Sequence, residues 1–249
     1  GSVDVTVLRG TDEWPKLRDA WRAVFETTGA EPSSAPDWAS AVADHWVPRP
    51  ETIRTIVLRR GPAVVGIVPL TLEPAVRTHC QLAPLAEGFT THSDFLIAEA
   101  TPAVADAFAA GVASLGLDWD RLRMVRVRDD HPFLPLVVDA LERHGFPCAV
   151  RPTTASFHLD LPASADAYLA ARSAKFRNYL RRVEKRLAAA ATIAQVTSLA
   201  SVADVDRCVD DALAIERASW KQTGGVSIAA DARASAFWRA ICQAERAAG

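Results

Sequence analysis

Basic side chains are concentrated in residues 172–186, where they form two rows at helical spacing. One row holds Arg177, Arg181 and Lys185, and the other holds Lys175, Arg182 and Arg186. Like charges four residues apart on a helix repel by roughly a few tenths of a kcal/mol per pair, so a compensating partner is expected. The rows predict a surface that binds phosphate groups, for which arginine is well suited, or else a solvated face or salt bridges to acidic residues. The acids that suit such salt bridges are Asp204, Asp206 and Asp210.

An apolar stripe runs through the same segment. Its members recur three or four residues apart and are Phe176, Leu180, Val183 and Leu187. This spacing predicts one long amphipathic helix over residues 164–190, with the stripe packed against a core. Asn178, within the basic run, is either a residue that orients a substrate amide or an ordinary surface residue.

A second candidate for chemistry is the pair His92 and Asp94. Residues two apart in an extended stretch lie on the same face, so the imidazole and the carboxylate are expected to be neighbours. A histidine beside a carboxylate is a typical general base. The alternative interpretation is that the two side chains only order the loop through hydrogen bonds.

Trp220 and Lys221 follow Glu216 on a predicted helix that ends before Gly224 and Gly225. Trp220 is four residues beyond Glu216, so the two side chains lie on one helix face. The tryptophan is expected either to line a pocket for an acyl group or substrate, or to pack in the core as large aromatic side chains generally do. Lys221 is a candidate ligand for the same substrate.

Several other classes of site are not predicted. Cysteines 80, 148, 208 and 242 are scattered without a CxxC pair, which is typical of buried thiols in a reducing cytoplasm. The remaining histidines lack the spacing of metal ligands, so no metal is expected. Nucleophile elbows, P-loops and dinucleotide-binding glycine clusters are absent from the sequence.

The composition is that of a globular protein. The chain has 249 residues, of which 49% are hydrophobic and 23% charged, and its formal net charge is −2. With so small a net charge, overall electrostatics does not favour nucleic acid or membrane surfaces, and any anion site must be local. No apolar run reaches about 18 residues, so a membrane-spanning helix is not predicted. A cytoplasmic protein is expected.

The elements that would position these residues fall into two parts. In the first part, strands are predicted at residues 3–9, 52–60, 63–72, 93–97, 121–128, 147–151 and 154–161. Helices are predicted from Thr11, from Pro36, over 101–116 and over 133–145. Pro69 cannot donate to a ladder, so a bulge or an edge is expected there. These elements predict one mixed α/β unit over residues 3–161 with a central antiparallel hairpin.

The second part, residues 162–249, begins after Pro162 with the basic helix. A strand is predicted at 192–198, followed by a helix over 201–220 with Val202, Val205, Val209, Leu213 and Ile215 inward. A final helix is predicted over 231–248. One strand and three helices resemble the start of a second α/β unit, which would be incomplete in this chain.

Five short motifs follow one another along the chain. They are Ser34-Ala-Pro-Asp-Trp38, Val65-Gly-Ile-Val-Pro-Leu70, His92-Ser-Asp94, Ser173-Ala-Lys-Phe-Arg-Asn-Tyr-Leu-Arg-Arg182, and Ser219-Trp-Lys221 followed by Phe237-Trp238. In this order they resemble the BioF2-like and CelD-type branch of the GNAT acyltransferases, which are relatives of the Fem peptidyltransferases. The fourth motif is the most specific one.

This resemblance implies two tandem GNAT-like units, each with a mixed, largely antiparallel sheet flanked by helices. By that comparison, 3–161 is the first unit and 162–249 the start of a second, incomplete one. In GNAT folds two splayed strands hold the pantetheine arm, and the region near Pro69 is the candidate splay. The usual Q/R-x-x-G-x-G/A pyrophosphate loop is absent from the sequence. The donor is therefore an acyl-CoA such as acetyl-CoA, bound elsewhere, or a tRNA-linked aminoacyl group as in the Fem relatives.

Two functions follow from the sequence. The first is an N-acyltransferase that moves an acyl or aminoacyl group to an amine of a small molecule or a cell-envelope precursor. The alternative is a catalytically inactive GNAT-like module that binds an anionic partner through the basic helix 172–186.

Overall fold

The computed structural model describes residues 1–74, 80–85, 90, 93, 95–116, 119–153, 155, 159–190 and 204–248. The chain forms two compact units. Unit 1 comprises Gly1–Thr153 together with Ala203–Gly249, and unit 2 comprises Thr154–Val202. Residues 162–249, predicted as one domain, contribute to both units in this division. The predicted domain boundary after residue 161 stays a prediction.

The helices are α1 Trp14–Thr28, α2 Pro36–Trp46, α3 Pro102–Ser114, α4 Phe133–Arg143, α5 Ala165–Ala170, α6 Ala174–Ala190, α7 Val205–Ala218, α8 Trp220–Thr223 and α9 Ala232–Ala248. Short 3-10 turns lie at Pro32–Ser34, Pro50–Thr52 and Ile228–Ala230. The strands are β1 Asp4–Arg9, β2 Ile53–Arg60, β3 Ala63–Pro74, β4 Cys80–Pro84, β5 Leu96–Ile97 and β6 Arg121–Leu122. Helices α5 and α6 belong to unit 2, and the other elements belong to unit 1.

The strands form one open, largely antiparallel sheet in the order β1-β2-β3-β4-β6, with β5 also paired to β3. Only the β4–β6 pairing is parallel among the described strands. The predicted mixed α/β fold with a largely antiparallel sheet flanked by helices is therefore confirmed. The predicted β2–β3 hairpin is also confirmed, with its turn at Gly61, whose φ of 57° suits glycine.

Other strand predictions were too long. Of residues 121–128, only Arg121 and Leu122 pair in the sheet, and residues 147–151 form no strand. Described residues of 154–161 are likewise outside strands, and 192–198 lies outside the described residues. Alternating apolar residues predict an extended chain, but a strand also needs a neighbour whose backbone groups are within reach.

Pro69 lies where β3 exchanges one neighbour for another. Gly66 and Ile67 pair with β5, whereas Leu70 and the residues after it pair with β4. The Pro69 carbonyl accepts a hydrogen bond from Leu85 N at 3.0 Å on that same side. The nitrogen that lacks a proton therefore faces the gap between β4 and β5, where no donor is required. Of the two predicted alternatives the bulge is wrong, because the β2–β3 register shifts at Leu58 and Arg59 instead, and the gap beside Pro69 corresponds to the predicted edge.

Helices cover both faces of the sheet. On one face, α3 and α4 pack through Phe108 and Phe133 on residues such as Leu58 and Leu82, all four fully buried. On the other face, α1, α2 and α9 pack on Ile53 and Ile67, with Trp21, Val42 and Phe237 among the buried side chains that cover them. The helix predicted to begin with Thr11 as its cap starts at Trp14 instead, since Glu13 occupies the cap position.

Gly111 of α3 lies close against the sheet, so a larger side chain there should be costly. A Cβ atom at this position would be 2.8 Å from Val5 Cγ2 and 3.1 Å from Ile56 Cγ2, and both neighbours are stiff β-branched side chains. We expect Gly111→Val to lower the free energy of unfolding by about 1–3 kcal/mol through overpacking. Urea denaturation measures the change. Ala113→Val, at an exposed position of the same helix, is the control. Equal losses in both variants would contradict the close packing.

Candidate functional site

The basic segment of unit 2 is two helices rather than the single helix predicted over residues 164–190. Helix α5 begins at Ser164, whose Oγ accepts from Ala167 N at 3.1 Å. Helix α6 begins after Ser173, whose Oγ accepts from Phe176 N at 3.2 Å. Serine favours such N-cap positions because its hydroxyl satisfies an otherwise unpaired N–H. The second cap interrupts the predicted helix at residues 171–173.

Arg177 holds the two helices together. Its guanidinium donates to the carbonyl oxygens of Arg172 and, at 3.4 Å, Ala170, where α5 ends. A cation at a helix C-terminus satisfies free carbonyl groups and interacts favourably with the helix dipole. Arg177 therefore has a structural role that the sequence pattern did not indicate, because one long helix would have no carbonyls to cap at that point.

The other basic residues of α6 remain exposed. Arg181 donates to the Asn178 side-chain carbonyl at 2.8 Å, so these two predicted ligands form a pair within one helical turn. Lys175, Arg182 and the basic residues of the next turn are exposed. No side chain of α6 forms an ion pair with a described residue. The helix carries six basic residues and one acid, so it has a net positive charge that no ion pair with a described residue compensates.

The acids expected to neutralise this helix are engaged elsewhere. Asp204 caps α7 by accepting from Arg207 N at 3.0 Å. Arg239 of α9 binds Asp206 at 2.8 Å and Asp210 at 2.5 Å. The hydrogen bond from Arg239 is the main reason why the pKa of Asp206 lies below its usual value. These three acids thus have partners within unit 1, and their pairing with the basic rows stays a prediction.

The apolar stripe of α6 is less buried than predicted. Phe176 is 36% exposed and Leu187 is 58% exposed, whereas Leu180 and Val183 are half-buried. Helical periodicity sets which side chains share a face, but the depth of burial depends on what packs against that face.

Trp220 is neither a core residue nor part of an enclosed pocket in the part of the chain that the structure describes. It is 74% exposed, so the preference for a core tryptophan was wrong. Ile215, predicted to point inward, is 71% exposed. Val202 lies outside the described residues, while Val209 and Leu213 are buried as predicted.

Lys221 is used to fix the loop between α8 and α9. Its Nζ donates to Glu216 Oε1, while Ile228 N donates to Glu216 Oε2 at 3.0 Å. Both hydrogen bonds favour the ionised carboxylate and lower the pKa of Glu216, with Lys221 as the larger cause. Lys221 therefore has a structural role in addition to its predicted role in substrate binding.

This linkage predicts a pH dependence of stability. Because the folded state lowers the pKa of Glu216, its contribution is present above the unfolded pKa of about 4.3 and is lost as pH falls through the folded value. We expect Glu216→Gln to lower Tm at neutral pH and to have little effect below about pH 3. Thermal unfolding from neutral to acid pH measures this difference. Glu26→Gln, at an exposed position of α1, is the control. A Tm difference independent of pH would contradict the assignment.

His92 and Asp94 lie outside the described residues, so their proposed pairing stays a prediction. Their described neighbours Thr90 and Ser93 are buried. Ser93 N donates to Arg126 O at 3.4 Å, and the Arg126 guanidinium donates to Thr90 O.

The sequence pattern did not single out Arg126, whose backbone conformation is unusual. Its φ of 57° is a left-handed conformation that non-glycine residues rarely adopt. The regular alternation of residues 121–128 gave no signal for this conformation. The left-handed conformation explains why the extended segment turns at Arg126.

A small cavity lies beside the junction at Pro69. Its volume is about 30 Å³, and Pro69, Leu85 and Ser93 are among its lining residues. Ser93 Oγ is buried there without a hydrogen-bond partner among the described residues. The cavity has room for about one water-sized group. β3 thus changes its neighbouring strand at Pro69, and the role of this region in holding a pantetheine arm stays a prediction.

Residues 174–249 match the family model of the acetyltransferase (GNAT) domain. This match covers under a third of the chain and runs from the first residue of α6 through α9. It supports the GNAT superfamily for this region and acyl transfer as its general chemistry. No curated protein sequence matches the chain.

GNAT domains typically bind acetyl-CoA, and the matched region fits that ligand in one respect. Lys175, Arg181 and Arg182 lie on α6 as exposed cations that have no acidic partner among the described residues, which suits the phosphate groups of CoA. The described part of the GNAT match contains helices but no strand pair for the pantetheine arm.

In the described residues, no cluster of three metal-ligating side chains occurs and no helix has the length and apolarity to cross a membrane.

Proposed function

We propose that the protein is a GNAT-type N-acyltransferase that moves an acyl group from a CoA donor to an amine. The observation that carries the proposal is the coincidence of the GNAT match with α6. The match begins at Ala174, where α6 begins, and α6 presents cations that no described acid neutralises. A region matched to acetyltransferases thus opens with a row of exposed cations, which supports an anion-binding role for α6.

The residues of α6 would bind and orient the donor. Lys175, Arg181 and Arg182 are placed to bind phosphate oxygens, with Asn178 holding Arg181 in position at 2.8 Å. Bound acyl-CoA would supply the thioester whose carbonyl the amine attacks, with the CoA thiol as the leaving group. Binding through remote phosphates contributes to the rate by positioning the thioester. We retain His92 and Asp94 as the proposed base that deprotonates the amine.

The acceptor is proposed as an amine of a small molecule or a cell-envelope precursor. A tRNA-linked aminoacyl donor is the competing option, and it shares with CoA the phosphate groups that α6 would bind. Trp220, which is 74% exposed, and Lys221 are retained as proposed substrate-binding residues.

Calorimetric titration of the full chain with acetyl-CoA, free CoA and an aminoacyl-tRNA tests the donor. We expect saturable binding of acetyl-CoA and free CoA that weakens as salt rises, because salt screens exposed charges. Release of the CoA thiol in the presence of a panel of amines then tests the transfer. The absence of binding to every acyl-CoA and to the charged tRNA would contradict the proposal. Donor binding without thiol release would favour the binding module instead.

A further inference from the structure

A large cavity lies in unit 1, outside the region that matches the GNAT domain. Its volume is about 400 Å³, and it lies among α3, α4, residues 119–127 and residues 146–153. This size falls within the range of about 300–1,000 Å³ that is usual for small-molecule sites. The sheet does not close it, because residues 123–127 and 146–153 belong to no strand in the described part of the chain, although Arg123 N donates to Leu82 O of β4 at 2.8 Å.

The inner wall of the cavity is apolar. Val112 and Val137, both buried, contribute to it from α3 and α4, and Trp119 lies against Phe146 with ring centroids 5.5 Å apart. The indole nitrogen of Trp119 is buried and has no hydrogen-bond partner among the described residues. A buried N–H usually finds an acceptor, so this wall combines apolar surface with one unused donor.

Arginines dominate the polar part of the lining. They are Arg121, Arg123, Arg126 and Arg151, and none forms an ion pair with a described residue. Arg121 binds the neutral side chain of Gln81, and Arg126 binds a backbone carbonyl. The acid that lines the cavity, Asp120, accepts from Cys80 N at 2.7 Å. The site therefore has an excess of positive charge beside its apolar wall.

We propose that this cavity binds an amphipathic carboxylate of the fatty-acid class. The acyl chain lies against Val137, Trp119 and Phe146, and the carboxylate lies among the arginines, of which Arg123 and Arg151 are exposed and form no ion pair with the residues that the structure describes. Charge complementarity selects the anionic head, since arginine binds carboxylates through paired hydrogen bonds. The proposal is independent of the acyltransferase function, because the cavity lies within residues 95–153.

Calorimetry with octanoate, decanoate and dodecanoate below their micelle concentrations tests the site. Each additional methylene that enters the cavity should tighten binding by about fourfold. Dodecanol, which has the same chain without the charge, should bind at least about tenfold more weakly than dodecanoate.

Two variants of the full chain separate the parts of the site. The pair R123Q/R151Q should weaken dodecanoate binding by about tenfold or more and leave dodecanol binding unchanged. The control pair R9Q/R49Q removes the same charge from exposed arginines outside the cavity and should change neither affinity. Val138→Trp, which fills the cavity from α4, should weaken both ligands, and circular dichroism checks that it folds.

Alkylation of Cys148 reports whether the ligand lies in the cavity. Its thiol lines the cavity and donates to Phe146 O at 3.5 Å. Burial, with a smaller contribution from the Glu142 charge, raises the pKa of Cys148, so alkylation is expected only at alkaline pH. Saturating dodecanoate should slow alkylation of Cys148 and leave that of Cys208, outside the cavity, unchanged.

Three results would overturn the proposal. These are the absence of saturable binding by all three acids, equal affinity of dodecanoate for R123Q/R151Q and the wild type, and unprotected Cys148 at saturation. Loss of acetyl-CoA binding alone would concern the acyltransferase proposal and would leave this one standing.

Discussion

Replacing Phe237 with alanine is expected to lower the free energy of unfolding by about 3–5 kcal/mol, as for other fully buried phenylalanines. Phe237 of α9 is 0% exposed. Its ring makes edge-on contacts with Trp38 at 5.2 Å and Trp238 at 5.6 Å between centroids. Truncation would remove both the buried area and these aromatic contacts, and α2 and α9 cannot close the resulting space without moving. Urea denaturation at neutral pH measures the loss.

The control for this prediction is Phe176→Ala, which deletes the same atoms from a side chain that is 36% exposed in unit 2. It should lower the free energy of unfolding much less than Phe237→Ala does, because less of the Phe176 side chain is buried away from water. A similar small cost in both variants would show that α9 does not pack against α2 in solution. Since Phe237 belongs to the matched region and Trp38 to the N-terminal part, the test also reports whether the two form one folded unit.

The double variant R181Q/R182Q is expected to raise the Kd for acetyl-CoA by about a hundredfold. Each arginine would lose a charge-assisted hydrogen bond worth about 1.5–3 kcal/mol, and two such losses give at least this factor. The variant should also bind with a weaker dependence on salt, because fewer charges attract the phosphates. Titration calorimetry at two salt concentrations measures both effects.

Arg177 is excluded from that variant because it holds α5 against α6, and its loss would disturb both helices. The control R9Q/R49Q changes the net charge equally with exposed arginines of unit 1. If the control weakens acetyl-CoA binding as much as R181Q/R182Q, the effect is one of total charge and α6 is not the binding surface. Unchanged affinity in R181Q/R182Q would likewise contradict the assignment.

Local patterns in the sequence determined the elements that depend on near neighbours. The β2–β3 hairpin follows from two β-rich runs around Gly61, and the buried face of α1 follows from the spacing of Trp14, Leu17 and Trp21. The basic rows of α6 also follow from spacing alone, since residues four apart on a helix must share a face.

Only the tertiary structure decided which elements and side chains contact one another. Pro69 signalled a missing donor, but the exchange of β5 for β4 depends on strands distant in sequence. Periodicity could not show that Asp206 and Asp210 bind Arg239, or that Trp220 stays exposed. The sequence by itself determined which side chains share a face and which charges lie together. The fold decided which faces are buried and which charges are neutralised, because burial and ion pairing depend on contacts between residues far apart along the chain.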